Sequence, residues 1–293
     1  MSDPPQVASQ PSVPQPPLTK QRLDVYLVDQ GLCDSRQQAQ RVIRAGEVQV
    51  NHQVIDKPGT VIKVGATVRV KQKAPYVSRG GEKLAKALAE FDVSTQGRVC
   101  LDGGISTGGF TDCLLQQGAE QVYGIDVGYG QVAWKLRQDP RVILRERTNL
   151  RHLTPADLYA DGHPRPDLGV IDVSFISLTK VLTAFGGLLT PSCEAILLVK
   201  PQFEVGKEKI GKKGVVRDPK DQAVAIWQVW QSAATQGWQH QGLTYSPLLG
   251  PAGNVEYLLW IARPQAAGSA ADARGLDLAT ITQLTQTACQ TLR

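Results

Sequence analysis

Apolar residues recur at helical and strand spacing in two separate blocks of the chain. In the first block, Leu23, Tyr26 and Leu27 share one helical face that ends near Gly31. A second helix is predicted from a cap at Asp34 or Ser35 to Gly46. Its Ala39, Val42 and Ile43 form an apolar stripe, and Gln37, Gln40, Arg41 and Arg44 fall on the opposite side at a step of about 100° per residue. The alternating Val48-Gln49-Val50, the turn-like Asn51-His52, Val54 and the alternating segment 64–70 then predict a small sheet.

The second block starts at Arg98 and has a different rhythm. Short apolar runs at Arg98–Leu101, Val122–Ile125, Val142–Leu144, Leu168–Ile171 and Ala195–Val199 are separated by helix-length segments, which predicts a parallel sheet covered by helices on both faces. The later runs Leu243–Tyr245 and Tyr257–Ala262 are expected as antiparallel strands at one edge. A last amphipathic stretch, Leu276–Leu292, would pack on the body through Leu278, Ile281, Leu284 and Ala288.

Between and around the blocks the composition changes. Residues 1–19 are rich in Pro, Gln and Ser with neither a basic start nor an apolar run, so they read as a disordered leader and not a signal peptide. Residues 73–82 mix charges, Pro and Gly and read as a linker. The expected organisation is therefore a leader 1–19, a small α+β domain 20–72, a linker 73–82, an α/β domain 83–263 and a tail 264–293 with a helix. No apolar run reaches the roughly 18 residues of a membrane-spanning helix. The five cysteines form no Cys-x-x-Cys pair, which speaks against a disulfide framework or a structural zinc site and for a reducing compartment such as the cytoplasm.

Charge sharpens the division. Residues 20–90 carry 13 Lys/Arg against 7 Asp/Glu, whereas residues 91–293 carry 19 of each. A neutral body behind a basic front suits a polyanion held by the front, although a solubilising surface would look the same by charge alone.

The first strand of the body runs into Asp102-Gly-Gly-Ile-Ser-Thr-Gly-Gly-Phe110, a glycine-rich turn of the kind that lets a ligand approach the backbone at a sheet's switch point. The second strand ends at Asp126, where a carboxylate can accept from both hydroxyls of a ribose. A nicotinamide dinucleotide would ask for Gly-x-Gly-x-x-Gly and no acid next to its pyrophosphate, whereas Asp102 favours the cationic S-adenosylmethionine. The phosphate-loop look-alike Gly206–Lys213 has Lys213 where Ser or Thr must hold magnesium, so residues 206–220 read as a basic loop able to touch phosphate or simply solvated. Asp172 and Lys200 follow the fourth and fifth strands and should share one crevice.

The stretch RLDVYLVDQGLCDSRQQAQRVIRAGEVQVNHQVI resembles the RNA-binding domain named after ribosomal small-subunit protein four, which implies RNA contacts by Arg22, Ser35, Arg36, Arg41, Arg44 and Asn51. The runs SRGGEKL, DGGISTGGFTD, IDVSFISL, LVKPQFE and GNVEY resemble the haemolysin A (TlyA) family of ribosomal RNA 2′-O-methyltransferases, whose body is akin to the FtsJ ribose methyltransferases. That resemblance implies a Rossmann-like methyltransferase with a mixed, mostly parallel sheet. It implies a catalytic tetrad of Lys83, Asp172, Lys200 and Glu256, with Lys83 and Glu256 placed by the resemblance alone. The cofactor site would comprise Asp102, Gly103, Gly104, Thr107, Gly108, Gly109, Phe110 and Asp126, and the substrate would be cytidine in ribosomal RNA or a ribosomal subunit.

Transfer to a ribose hydroxyl needs in-line positioning and a base poised near neutral pH. A second lysine close by and partial burial are the means by which Lys83 and Lys200 would supply one. In this reading Lys200 is the base, Asp172 and Glu256 orient it, Lys83 holds the ribose or the forming alkoxide, and Glu204 is dispensable. An inactive RNA-binding assembly factor would share the fold, and a cytolysin would need a membrane-inserting segment that the sequence does not display.

Overall fold

The computed structural model describes residues 20–63, 65–71, 74–159, 162–264 and 276–293. The leader expected at 1–19 and much of the tail after Arg263 lie outside these residues. Two compact units emerge, one ending at Lys73 and the other starting at Ala74.

The first unit holds β1 (Lys20–Arg22), α1 (Leu23–Asp29), α2 (Arg36–Arg44), β2 (Val48–Val50), β3 (Gln53–Val54), β4 (Val61–Lys63) and β5 (Val68–Val70). Helix α2 begins where Ser35 accepts from the Gln38 amide, satisfying one of the open donors of the first turn. Asn51 and His52 both take positive φ, 50° and 67°, and close the β2–β3 hairpin in two residues. Strand β2 pairs with β3 on one side and β5 on the other, while β1 pairs separately with β4. Strand β1 was not predicted. The core is Leu23, Leu27, Cys33, Ala39, Ile43, Val48 and Ile62; of the predicted apolar positions Tyr26 and Val42 are only partly buried and Val54 is exposed, and Ile62 comes from β4, outside the predicted segments.

The second unit is built on seven strands: β6 (Val99–Gly103), β7 (Gln121–Ile125), β8 (Val142–Arg145), β9 (Leu168–Ile171), β10 (Cys193–Val199), β11 (Gln239–Tyr245) and β12 (Tyr257–Arg263). Their order is β11-β12-β10-β9-β6-β7-β8. From β8 to β10 all neighbours are parallel, and β12 and β11 are antiparallel at the edge, as expected. Side-chain alternation along β10 shows why the sheet is apolar throughout. Ala195, Leu197 and Val199 enter one core and Ile196 and Leu198 the other, so both faces are buried.

Helices α3 (Gly80–Phe91) and α4 (Gly109–Gln116) cover one face. The other is covered by α7 (Leu182–Leu188), α9 (Pro219–Ala234) and α10 (Leu278–Leu292), with the short helices α5 (Trp134–Arg137), α6 (Pro155–Leu158) and α8 (Pro201–Glu204) at strand ends. Helix α9 starts sharply because Asp218 caps it and Pro219 occupies its first turn. In α10 it is Ile281, Leu284 and Ala288 that meet the body, together with Thr285, whose hydroxyl donates to Pro219 O; Leu278 is exposed.

Helix α3 had no predicted counterpart, and it determines how residues 74–82 behave. These residues pack into the second unit. The Val77 amide donates to Asp112, the Gln116 amide donates to Pro75 O, and the Tyr76 ring covers Gly81. A Cβ on Gly109 would collide with the Ser78 hydroxyl and lie 2.9 Å from the Gly81 amide, so the start of α4 must be glycine for α3 to approach it.

The Phe185 ring is fully buried and lies over Gly169 at the centre of the sheet. Phe185→Ala is expected to cost about 3–5 kcal/mol in urea unfolding. A loss below about 1 kcal/mol would mean that this face is not packed as described.

Candidate active site

The sheet order reverses between β6 and β9, and the crevice of such a sheet lies outside the carboxyl ends of its strands at that point. Gly104, Asp126, Asp172 and Lys200 each stand immediately after a strand, β6, β7, β9 and β10, and so on this rim. The Asp172 amide donates to Gly103 O. Gly104 has φ +91°, and a Cβ there would run into the Asp172 carbonyl, so only glycine lets the two segments pass this closely.

Two ion pairs line the crevice, one buried on both sides and one whose carboxylate is partly open. Lys83, from the first turn of α3, meets Glu256, the residue before β12, at 2.5 Å, with side chains 9% and 1% exposed. Lys200 meets Asp172 at 2.5 Å and donates to the Ser174 hydroxyl at 2.9 Å. Lys83 and Asp172 line one cavity of about 410 Å³, together with Arg79, Gly104, Ser106, Thr107, Gly109 and Phe110. All four expected tetrad residues thus gather at this cavity, two on its wall and two bonded to the wall. The structure divides them differently from the sequence reading: each lysine has its own carboxylate, so Glu256 fixes Lys83 and not Lys200.

A second cavity, of about 470 Å³, shares Gly104, Ser106 and Asp172 with the first and extends past Asp126, Val127, Gln131, Thr148 and Asn149. Asp126 is held in place by the amides of Ser106 and Gly128, at 2.8 and 2.7 Å. Of the other expected cofactor residues, Thr107, Gly109 and Phe110 reach the first cavity, whereas Gly103, Gly108 and Asp102 reach neither. Gly103 belongs to the sheet, and Gly108 starts α4 against the Leu136 side chain.

Asp102 lies beneath the glycine-rich turn, fully buried. One oxygen accepts from the amide and hydroxyl of Thr111, and the other has no partner among the described residues. Burial pushes its carboxyl up to about 7, against the Thr111 hydrogen bonds and with added repulsion from Asp172.

Three features escaped the sequence. The loop Thr148–Asn149 lines the second cavity after β8, a place that the rule for strand ends would have found. Phe175 is 91% exposed at φ +64°, a strained conformation for a bulky residue, and its ring sits 5.2 Å from that of Phe203. Arg151, Lys180 and Lys207 border a further cavity beside these two rings, so one end of the basic loop does approach the crevice. The third feature is Glu204. Its buried carboxylate accepts from the Ser177 hydroxyl and the Leu178 amide at 2.5 and 2.9 Å, tying the loop after Asp172 to the turn after Lys200. Burial raises its pKa against those hydrogen bonds. Glu204 thus joins the loop that follows β9 to the turn that follows β10, a structural link that the sequence reading did not include.

The phosphate-loop look-alike forms two 3-10 turns, Lys207–Lys209 and Lys212–Gly214, and α9 begins only at Pro219, so no helix N-terminus follows the glycines as phosphate binding would require.

Asp102 carries a pH prediction. The unfolded chain releases this proton near pH 4, and the folded one holds it to about 7, so the stabilisation is complete below about pH 4 and lost as the pH rises through about 7. Wild type should therefore lose roughly 3 kcal/mol relative to Asp102→Asn between about pH 5 and 8 in denaturant titrations. Parallel pH profiles would contradict the burial of an ionisable Asp102.

Comparison with known proteins agrees with this geometry. Residues 76–263 match the FtsJ-like methyltransferase family, and residues 21–68 match the S4 domain. The protein YqxC of Bacillus subtilis is 50% identical over 246 residues, covering 84% of this chain and 86% of its own. The 16S/23S rRNA (cytidine-2'-O)-methyltransferase TlyA of Mycobacterium tuberculosis is 48% identical over 242 residues, 82% of this chain and 89% of its own. A solved structure from Streptococcus thermophilus covers 94% of this chain and 97% of its own at 39% identity and a TM-score of 0.68. The matched span contains the glycine-rich turn and both lysine–carboxylate pairs, and the chain belongs to the FtsJ-like methyltransferase family, with an S4 domain in front of the catalytic unit.

Proposed function

We propose that this protein methylates the 2′-hydroxyl of cytidine in ribosomal RNA, using S-adenosylmethionine, and that the S4 domain helps to hold the RNA. The observation that carries the reading is the pair of lysine–carboxylate contacts, both lysines buried, around one cavity at the switch point. Keeping charged groups out of water in such places costs several kcal/mol, so a functional use is the reading to prefer. The TlyA relative supplies the choice of cytidine and ribosomal RNA. The five cysteines are all free, which suits a cytoplasmic enzyme working on ribosomes.

The residues present fit the cofactor. Asp126 would take its ribose hydroxyls, Gly104 and Ser106 of the glycine-rich turn open onto both cavities, and a bound cation would favour the ionised form of the buried Asp102, one of whose oxygens has no partner among the described residues. When bound, S-adenosylmethionine supplies a methyl carbon made electrophilic by its sulfonium.

The chain's own side chains do the rest. Lys200 takes the proton of the ribose hydroxyl as it gives one of its own to Asp172, its partner in the ion pair, and Ser174 fixes the position of the amine. Lys83, fixed by Glu256, donates to the ribose oxygen as negative charge builds on it. Glu204 keeps the loops bearing Asp172 and Lys200 in register. Phe175 and the cations Arg151, Lys180 and Lys207 offer an aromatic face and a phosphate-binding wall beside the reacting sugar.

Labelled methyl from S-adenosylmethionine should pass to ribosomal subunits or ribosomal RNA and not to DNA, and it should be recovered as an alkali-resistant 2′-O-methylcytidine. Lys200→Ala should lower the rate by about 10²–10⁴-fold. Label on a base or in DNA would overturn the assignment, and RNA binding without any transfer would point to an assembly factor. A second outcome separates the loop residue from the base: Glu204→Gln, which keeps the shape and can still accept, should retain more activity than Glu204→Ala.

A further inference from the structure

The S4 domain contains a buried carboxylate that the methyl-transfer chemistry does not use. Asp24 is in the first turn of α1 and is fully buried. Arg22, at the end of β1, grips it with two bonds, Nε to Oδ1 and Nη2 to Oδ2, both 3.0 Å. Arg36, at the start of α2, donates from Nη2 to Oδ2 at 3.1 Å, and Gln40, one turn further on, donates to the same oxygen at 3.1 Å. One carboxylate therefore joins three elements and organises two of the arginines that the sequence assigns to RNA.

The arrangement leaves both arginines available. Their side chains remain 50% and 58% exposed although their anchor is wholly buried. A guanidinium has five N–H donors, and Arg22 and Arg36 spend two and one of theirs on Asp24, so most of the fork still faces outward. The cluster keeps a net positive charge, two cations against one anion. A free arginine loses side-chain entropy when it seizes a phosphate; one already held by a carboxylate has lost it on folding. Arg41 and Arg44, also on α2, are exposed and have no such anchor among the described residues. Ser35 and Asn51, the other residues assigned to RNA, spend their side-chain oxygens on the amides of Gln38 and Thr67.

We propose that Asp24 is a positioning residue for RNA binding, holding Arg22 and Arg36 side by side as a two-guanidinium clamp for backbone phosphate. The inference rests on the reading of this domain as RNA-binding.

The sign of one substitution separates positioning from plain electrostatics. Asp24→Asn removes a negative charge beside two cations, so a simple charge effect would tighten RNA binding. A lost clamp would weaken it. In filter or anisotropy titrations of the full-length protein with ribosomal RNA, Asp24→Asn should bind about tenfold more weakly. The slope of log affinity against log salt should shrink by about one to two, because each lost duplex phosphate contact removes about 0.9. The loss should fall on the KM for RNA and not on kcat.

Arg22→Lys and Arg36→Lys keep the charge and lack the fork, and they should weaken binding in the same way even if Asp24→Asn unfolds the domain. Asp24→Asn binding as tightly as wild type or tighter, or both lysine variants matching wild type, would overturn the clamp. Failure of the underlying reading has a different signature: the wild-type protein would then not bind ribosomal RNA, or the Arg22→Ala/Arg36→Ala double variant would bind it as tightly as wild type, whereas failure of the clamp alone leaves the double variant weakened and Asp24→Asn unaffected.

Discussion

The close passage of Gly104 against the backbone of Asp172 is the constraint on which the catalytic unit depends. Strands β6 and β9 are neighbours across the switch point, and the Asp172 amide bonds back to Gly103 O. With no side chain at Gly104, the glycine-rich turn can fold over the strand end, leave two cavities joined at that spot and bring Asp172 to their shared wall. Any larger residue would have to move the segment that carries Asp172, and Lys200 is held through that residue. The two cavities and the Lys200–Asp172 pair are thus set by the same few atoms.

Around that constraint the charged residues are arranged as two separate pairs. A buried ammonium without its carboxylate is strongly unfavourable, on the order of 3–5 kcal/mol when one partner is removed. The pairing therefore holds Lys83 and Lys200 in place before RNA arrives. The same device recurs in the S4 domain, where Asp24 holds two arginines, but there the cations stay half-exposed for a large and variable polyanion. In the crevice the lysines are closed off, 9% and 10% exposed, as suits reaction with a single hydroxyl.

Much of this was legible in the sequence because it rests on short-range regularities. The short apolar runs gave the parallel strands, and residues placed just after them, Asp126, Asp172 and Lys200, lie on the rim as strand order requires. Long-range pairings were not legible. Lys83 and Glu256 are 173 positions apart and meet only because α3 and the entry to β12 pack over the same sheet end. Residue type alone could not show that Glu204 ties two loops together, that Asp102 is sealed beneath its turn, or that residues 74–82 belong to the catalytic unit. Those properties come from tertiary contacts, and the motifs that contain the residues read the same with or without them.

The central claim is that the two lysine–carboxylate pairs act on the RNA hydroxyl, with the cofactor held by other groups. It is tested most directly by measuring, for Lys83→Ala and Lys200→Ala, single-turnover methyl transfer to ribosomal RNA alongside the affinity for S-adenosylhomocysteine. The account predicts single-turnover rates lower by about 10²-fold or more, with affinity within about threefold of wild type. Affinity that collapses while turnover at saturating cofactor survives would show that the lysines serve the cofactor, and would contradict it.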